Sequence, residues 1–228
     1  MLAKKKKLSK KEIQEDQLVT SYVKSMKFFE DHQSKILMGI GAIILFVAAI
    51  FLYTNKVESD NEEATALLAK IMPSYDSGNF QLAIDGQPGT DVKGLKEIAD
   101  GFSSVNPGSI AALYLGHSYF KLGKYEEALK AYDSFSGGDA LLKAASLAGV
   151  ANCYEALDKK DKAADYFKDA ASVSKKNIQN AEYLLKAGLN YLAIDKKETA
   201  KKVFMIIKKD YESSSEGRNI ERYLSMVE

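Results

Sequence analysis

Few side chains in this sequence have the type and the spacing of a catalytic or metal-binding site. The 228 residues include two histidines, His32 and His117, and a single cysteine, Cys153. A zinc site takes several His, Cys or carboxylate ligands, and a nucleophile needs a base within hydrogen-bond reach. No second His or Cys lies near either histidine in sequence, so neither arrangement is indicated. A single cysteine cannot form an intramolecular disulfide, and we interpret Cys153 as an inert core thiol.

Several short motifs resemble functional signatures but fail on spacing or composition. Gly116–Lys124 resembles a phosphate-binding loop, but six residues separate its glycines where four are required, and no Ser or Thr follows its lysine. The Ser-x-x-Lys spacings that begin at Ser21 and Ser172 are common by chance. The acidic runs Asp158–Asp161 and Asp195–Glu198 lack the pattern of a calcium loop and are interpreted as solvated turns. The sequence therefore predicts a protein that is not an enzyme and uses no metal, cofactor or small-molecule substrate.

The longest apolar run covers residues 36–53 and contains eighteen residues without a charge. At about 1.5 Å per helical residue it reaches roughly 27 Å, close to the hydrocarbon thickness of a bilayer. A cleaved signal peptide or a buried core helix are the alternatives. A signal peptide has a short basic start and a small-residue cleavage site, whereas here 35 residues precede the run and Tyr53, Thr54 and Asn55 follow it. We therefore predict a retained, single transmembrane helix.

The charges on the two sides of this apolar run have opposite balances. Residues 1–35 contain nine lysines and five acidic residues, whereas the chain from Val57 onward contains 22 basic and 26 acidic residues. Positive charge in short flanking segments is retained on the cytoplasmic side of a membrane. We therefore predict a cytosolic N-terminus and, in a bacterium, an inner-membrane protein whose C-terminal domain is periplasmic. The basic leader is interpreted as a topology signal and not as a nucleic-acid site.

The leader, residues 1–35, also contains a short amphipathic pattern. Four apolar residues recur every three or four positions and fall on one helical face: Leu18, Tyr22, Met26 and Phe29. Such a helix can lie in the headgroup layer with its apolar face toward the lipid. Alternatively, the same face can dock on a membrane partner. The favoured interpretation is a membrane-interface helix.

The remaining chain contains an internal repeat with intervals of 35 and 37 residues. Each copy has an apolar residue, a small residue, a tyrosine, a turn residue, an alanine and an aromatic in the same order. The three copies are Ala112, Leu115, Gly116, Tyr119, Gly123, Tyr125, Ala128 and Tyr132; Leu147, Val150, Ala151, Tyr154, Asp158, Lys160, Ala163 and Phe167; and Leu184, Ala187, Gly188, Tyr191, Asp195, Lys197, Ala200 and Phe204. This pattern predicts three helical hairpins over residues 109–210, which bury their apolar faces by stacking.

These positions resemble the tetratricopeptide repeat family. The usual Trp of the family is replaced, two turn glycines are Asp158 and Asp195, and the terminal proline is missing. Residues 54–108 are interpreted as a linker and a degenerate first repeat, interrupted by the turn-rich residues 85–89. Residues 211–228 are interpreted as a capping helix with an apolar stripe. The predicted fold class is all-α: a single N-terminal transmembrane helix, a tetratricopeptide-like solenoid and a C-terminal capping helix.

The order of leader, anchor, linker and exported repeats is similar to bacterial single-pass periplasmic tetratricopeptide proteins that resemble the ancillary subunit of the Sec translocon. This resemblance implies a non-enzymatic adaptor or scaffold whose partners are the translocon, chaperones or client proteins, together with the lipid bilayer. The alternative is a structural subunit of a multiprotein envelope complex, held mainly by its anchor and leader.

In the fold that the chain resembles, the first helix of each hairpin lines a concave groove. The resemblance implies that residues one, four and five places after the small residue point into this groove. The candidate partner-binding residues are His117, Phe120, Lys121, Asn152, Glu155, Leu189 and Leu192. We expect the leucines at the C-terminal end of this set to be covered by the final helix, with exposure to a client as the alternative.

Overall fold

The computed structural model describes the backbone of residues 10–228 and the side chains from Val19 onward. In this part of the chain all named elements are α-helices, so the all-α fold class is confirmed. The helices are α1 (Lys10–Asp76), α2 (Phe80–Asp85), α3 (Leu95–Gly101), α4 (Asn106–Lys121), α5 (Tyr125–Asp133), α6 (Ala140–Ala156), α7 (Lys160–Ser172), α8 (Asn180–Ala193), α9 (Lys197–Asp210), α10 (Ser215–Arg218) and α11 (Ile220–Leu224). The chain divides into two units, and the boundary in sequence falls between Lys56 and Val57.

The first unit contains the apolar run of residues 36–53 within α1. Most of its side chains are exposed, including Leu45 at 73% and Leu52 at 68%. Helix α1 is long and apolar enough to cross a membrane, and its most apolar stretch is not buried. A helix that is apolar on all sides is stable either in a protein core or in lipid. The exposed run is therefore compatible with a single-pass membrane anchor.

The predicted leader helix is part of α1 and not a separate element. Tyr22, Met26 and Phe29 are exposed at 66%, 51% and 46%, and the side chain of Leu18 lies outside the described residues. The ring of Phe28 stacks on His32, with their centroids 4.5 Å apart. The role of this face as a membrane-interface helix remains a prediction.

The second unit contains the three predicted hairpins, formed by α4 with α5, α6 with α7 and α8 with α9. The turns inside these hairpins share one geometry. Gly123, Asp158 and Asp195 have φ values of 73°, 56° and 57°, the left-handed conformation that commonly ends a helix. In each turn the next amide donates to a carbonyl five residues earlier, over 2.9, 2.8 and 2.9 Å respectively. Aspartate tolerates this conformation better than most residues, which explains how it replaces glycine twice.

Aromatic rings from the second helix of a hairpin pack onto glycine positions of first helices. A Cβ atom added to Gly188 would lie 2.2 Å from the ring of Phe204, and one added to Gly116 would lie 2.7 Å from the ring of Tyr132. Tyr132 also reaches the next hairpin, because a Cβ on Gly149 would lie 2.4 Å from its ring. These rings therefore join the two helices of a hairpin and join one hairpin to the next.

Residues 54–108 contain the end of α1, the short helices α2 and α3, and a turn between them. The backbones of Gly86 and Gly94 lie very close together across this turn. A Cβ atom on either glycine would lie 2.5 Å or less from backbone atoms on the other side of the turn. Leu67 and Ile71 of α1 pack with the apolar residues of α2, α3 and α4 in one buried cluster. The segment thus covers the N-terminal side of the first hairpin.

The C-terminal cap consists of two short helices where one was predicted. Ser214 begins α10 by accepting a hydrogen bond from the Gly217 amide over 2.9 Å. The helix breaks at Asn219, whose side-chain amide donates to the Ser215 carbonyl and so competes with helical bonding. Ile220 and Leu224 of α11 are buried against the last hairpin. The cap therefore covers apolar surface even though it is not one continuous helix.

The hydrophobic core lies entirely within the second unit. The buried hydrophobic side chains of the described chain run from Ala64 to Val227, and the largest buried cluster joins the last two hairpins to the cap. Residues 57–228 therefore contain the whole described core and the segments that cover both ends of the stack, and we expect them to fold as a unit by themselves.

We expect Gly188→Ala to destabilise residues 57–228 by about 1–3 kcal/mol, because the added methyl group overlaps the fully buried ring of Phe204. Gly101→Ala is the matched control, since open space surrounds this helical glycine. The control should be neutral or stabilising by up to about 1 kcal/mol. Urea unfolding followed by circular dichroism measures both. Equal midpoints for the two variants would contradict the packing described for the hairpins.

Candidate protein-binding groove

A cavity of about 300 Å³ opens along the first helices of the three hairpins. We call it the first-helix groove. Helices α4, α6 and α8 contribute most of its surface, and single residues come from α1, α5 and α7. Its lining consists of Tyr75, Leu113, Tyr114, His117, Tyr132, Ala145, Ala148, Gly149, Asn152, Phe167, Gln179, Glu182, Tyr183 and Lys186.

One wall of the groove is an aromatic cluster. The Tyr75 hydroxyl lies 2.5 Å from Nδ1 of His117, and the Tyr75 ring meets Tyr114 edge-on with centroids 4.7 Å apart. Phe80 meets the His117 ring edge-on at 6.0 Å. Burial raises the pKa of Tyr75 to about 12, so its hydroxyl keeps its proton. Edge-on aromatic pairs are favourable, and this wall presents both apolar ring area and polar tips to a ligand.

His117 is neutral in this cluster. Burial, and secondarily the charge of Lys121, lower the pKa of His117 below its ordinary value of 6.5. A neutral imidazole has one ring nitrogen that accepts and one that donates. Nδ1 can therefore accept the hydrogen bond from the Tyr75 hydroxyl, which leaves Nε2–H as a donor.

The floor of the groove is formed by small residues of α6. Ala145, Ala148 and Gly149 lie along one face of this helix, and the rings of Tyr132 and Phe167 lie beside them. Gly149 must lack a side chain because the Tyr132 ring occupies the position of a Cβ. A floor without long side chains leaves room for side chains of a bound polypeptide.

The opposite wall is polar and nearly neutral. Lys186 Nζ donates to Asn152 Oδ1 over 3.2 Å, lies 3.7 Å from a Glu182 oxygen and sits 5.3 Å from the centre of the Phe167 ring. Tyr183 donates to Gln179 over 2.9 Å. Because the lysine has a carboxylate neighbour, this wall suits amide and hydroxyl partners better than a free carboxylate.

Two of the predicted groove residues, His117 and Asn152, line the cavity. Both occupy the position one place after the small residue of their repeat. Phe120, four places after Gly116, instead packs against Tyr125 with ring centroids 5.5 Å apart. Lys121 is exposed outside the cavity.

The other three predicted residues also lie outside the cavity. Glu155 accepts a hydrogen bond from the Asn190 side chain over 2.8 Å. Leu192 packs against the core of the last two hairpins, whereas Leu189 is 37% exposed. The expectation that these leucines are covered is therefore not met at Leu189.

The sequence pattern missed several lining residues, although the repeat contained information that could have identified some of them. Tyr114, Gly149 and Lys186 each lie two places before the small residue of their repeat, so the repeat register could have identified them. Tyr75 could not be found in this way, because it comes from α1 outside the three regular repeats. The groove is thus completed by a residue that only the folded chain brings to it.

No group of three His, Cys, Asp or Glu side chains that could hold a metal ion occurs within the described residues. Cys153 is fully buried, and burial raises the pKa of its thiol to about 12. A thiolate is the reactive form of cysteine, so this side chain is not a nucleophile at physiological pH. The chemistry that the groove offers is hydrogen bonding and aromatic packing.

Residues 109–176 and residues 182–214 each match a family model described as tetratricopeptide repeat. No curated protein and no solved structure matches the chain. The matched ranges cover the three hairpins, so the resemblance to this repeat is confirmed for that part of the chain. Tetratricopeptide repeats serve typically as scaffolds for protein–protein interaction.

We expect the free energy of unfolding of residues 57–228 to fall as the pH decreases through about 6.5. Below that pH the unfolded state binds a proton that the half-buried His117 resists, so stability present at neutral pH is lost until the folded-state pKa is reached. Urea unfolding at several pH values, compared with His117→Gln, isolates this contribution.

His117 is the one histidine of this unit, so its ring protons can be titrated by NMR without overlap. The midpoint should lie below 6.5. A midpoint at or above that value, or the same pH dependence in His117→Gln, would show that the imidazole is not held neutral by its surroundings.

Proposed function

Because its hairpins are tetratricopeptide repeats with an open groove, we propose that this protein is a membrane-tethered adaptor that binds an extended segment of a partner protein. The observation that carries the proposal is the first-helix groove, with its aromatic wall, small-residue floor and polar wall. Aromatic rings supply contact area for apolar side chains, and Asn152, Gln179 and the Nε2–H of His117 supply hydrogen bonds for a peptide backbone.

The tether in this proposal is the apolar run of residues 36–53. Its exposed leucines, isoleucines and phenylalanines would be unfavourable in water and are favourable in lipid. Attachment to a membrane confines the groove to a thin layer, which raises its effective concentration toward other membrane components. A groove of modest affinity is then sufficient for function.

We further propose that the N-terminus is cytosolic and that the repeats lie in the bacterial periplasm. The support is the charge difference between the leader and the chain beyond residue 56. An exported, membrane-held groove is well placed to receive polypeptides that emerge from the protein-export machinery. The proposed partners are accordingly the translocon, periplasmic chaperones or client proteins.

A second candidate function is that of a structural subunit of an envelope complex, held by its anchor and leader. The observation that favours it is the exposed apolar face of α1 that includes Tyr22, Met26 and Phe29. In that case residues 1–56 would co-purify with the complex, whereas residues 57–228 would not.

We expect Ala145→Trp in the full-length protein to reduce crosslinked partner by about tenfold or more, because the indole fills space on the groove floor. Ala145 is partly exposed, so the substitution leaves the core intact. Ala140→Trp, at an exposed position of the same helix and outside the groove, is the matched control. The measurement is mass spectrometry of adducts after an amine-reactive crosslinker that does not cross the inner membrane is added to spheroplasts.

The crosslinking experiment separates orientation from binding. If the reagent fails to modify the lysines of residues 57–228, the periplasmic orientation is wrong. If it modifies them but recovers no envelope protein, or if both tryptophan variants behave alike, the groove is not the partner site.

A further inference from the structure

Helix α9 has an unusual outward face. Met205, Ile206 and Lys209 lie three, four and seven residues after Lys202, which places all four on one side of the helix surface. We call this set the α9 stripe. Met205 is 46% exposed and Ile206 is 40% exposed, and both lysines are exposed. Two apolar side chains are thus displayed between basic ones.

The lysines of the α9 stripe have no acidic partner among the side chains that the structure describes. The ion pair made by this helix joins Lys208 to Glu221 of α11 over 2.6 Å. Lys201, which lies beside the stripe, is likewise unpaired within residues 19–228. Glu198 lies one turn before Lys202 and Asp210 follows Lys209, so α9 carries five lysines against two carboxylates. Its surface is therefore basic.

This composition is specific to the last hairpin and is not a property of the repeat. In α7 the positions equivalent to Lys202, Met205 and Ile206 are Asp165, Lys168 and Asp169, and in α5 they are Lys130, Asp133 and Ser134. Lys168 and Asp165 of α7 also bond to the hydroxyl of Tyr191 in the following hairpin. The α9 stripe has neither the acids nor such a neighbour.

We propose that the α9 stripe docks on a bilayer surface rich in anionic phospholipid. A row of exposed lysines around two exposed apolar side chains matches the composition of surface-bound helices, whose apolar residues enter the headgroup boundary. Lysine stems are long enough to reach phosphate groups while Met205 and Ile206 insert. An acidic protein would use the lysines, but it would not need the exposed apolar pair, Met205 and Ile206, between them.

The expected strength is modest but sufficient. Each lysine near an anionic surface strengthens binding roughly fivefold, and the attraction decays within a Debye length. A weak contact becomes significant when the same chain also carries an exposed apolar run that can enter lipid. Docking of α9 on the bilayer would restrict the orientations that the first-helix groove can take at the membrane.

Vesicle co-sedimentation of residues 57–228 tests the proposal, because this unit has its own core. The probes are vesicles of phosphatidylglycerol and phosphatidylcholine in equal parts, and vesicles of phosphatidylcholine alone, at about 0.15 M salt. Binding should require phosphatidylglycerol and should weaken about 25-fold in Lys202→Gln/Lys209→Gln. Met205→Ser/Ile206→Ser should remove the part of binding that persists at high salt.

The matched control is Lys175→Gln/Lys176→Gln, which makes the same change in charge at exposed lysines outside α9. This control should bind within about twofold of the unmodified unit, a difference smaller than the effect of one lysine at the surface. Equal loss in both double variants, or no binding to the anionic vesicles, overturns the proposal. Self-association in analytical ultracentrifugation that Lys202→Gln/Lys209→Gln abolishes would assign the stripe to a second copy instead, and would also overturn it.

Discussion

The structure depends on close contact between an aromatic ring on one helix and a position without a side chain on another. Phe204 lies against Gly188, and Tyr132 lies against Gly116 and Gly149. Such contacts bring the helix axes near each other, which removes large ring areas from water in a chain that has no tryptophan. The Tyr132 contacts fix the spacing of α4 and α6, and the Phe204 contact holds α8 against α9. The groove is lined by these first helices, so its shape depends on how the rings hold them.

The sequence was sufficient to predict the hairpins, because each depends on local features that recur at a fixed interval. The small residue, the aromatic and the left-handed turn lie within about one repeat of each other, so their spacing alone specifies a hairpin. The cap was predicted less well. Its helix breaks at Asn219, whose side-chain amide bonds to the Ser215 backbone carbonyl. A periodic pattern of apolar residues does not reveal such a side-chain bond.

The groove was predicted only in part, for a physical reason. A position in a repeat determines which way a residue faces on its own helix, and His117 and Asn152, at the same position of two repeats, both line the cavity. The depth of a cavity depends on how successive hairpins stack and on residues outside the repeats. Tyr75, which completes the aromatic wall through His117, comes from α1 and has no counterpart in the repeat pattern. Lining residues of this kind can be identified only from the three-dimensional structure.

The single cysteine has a practical consequence. Cys153 is enclosed by α5, α6 and their neighbours, and its thiol keeps its proton because burial raises its pKa to about 12. Maleimide and spin-label reagents react with thiolates at accessible sites, so they should not label Cys153 in the native protein. The chain is therefore a natural background for engineered labels. One cysteine introduced at a chosen surface position would be the sole reactive thiol, without prior removal of the native one.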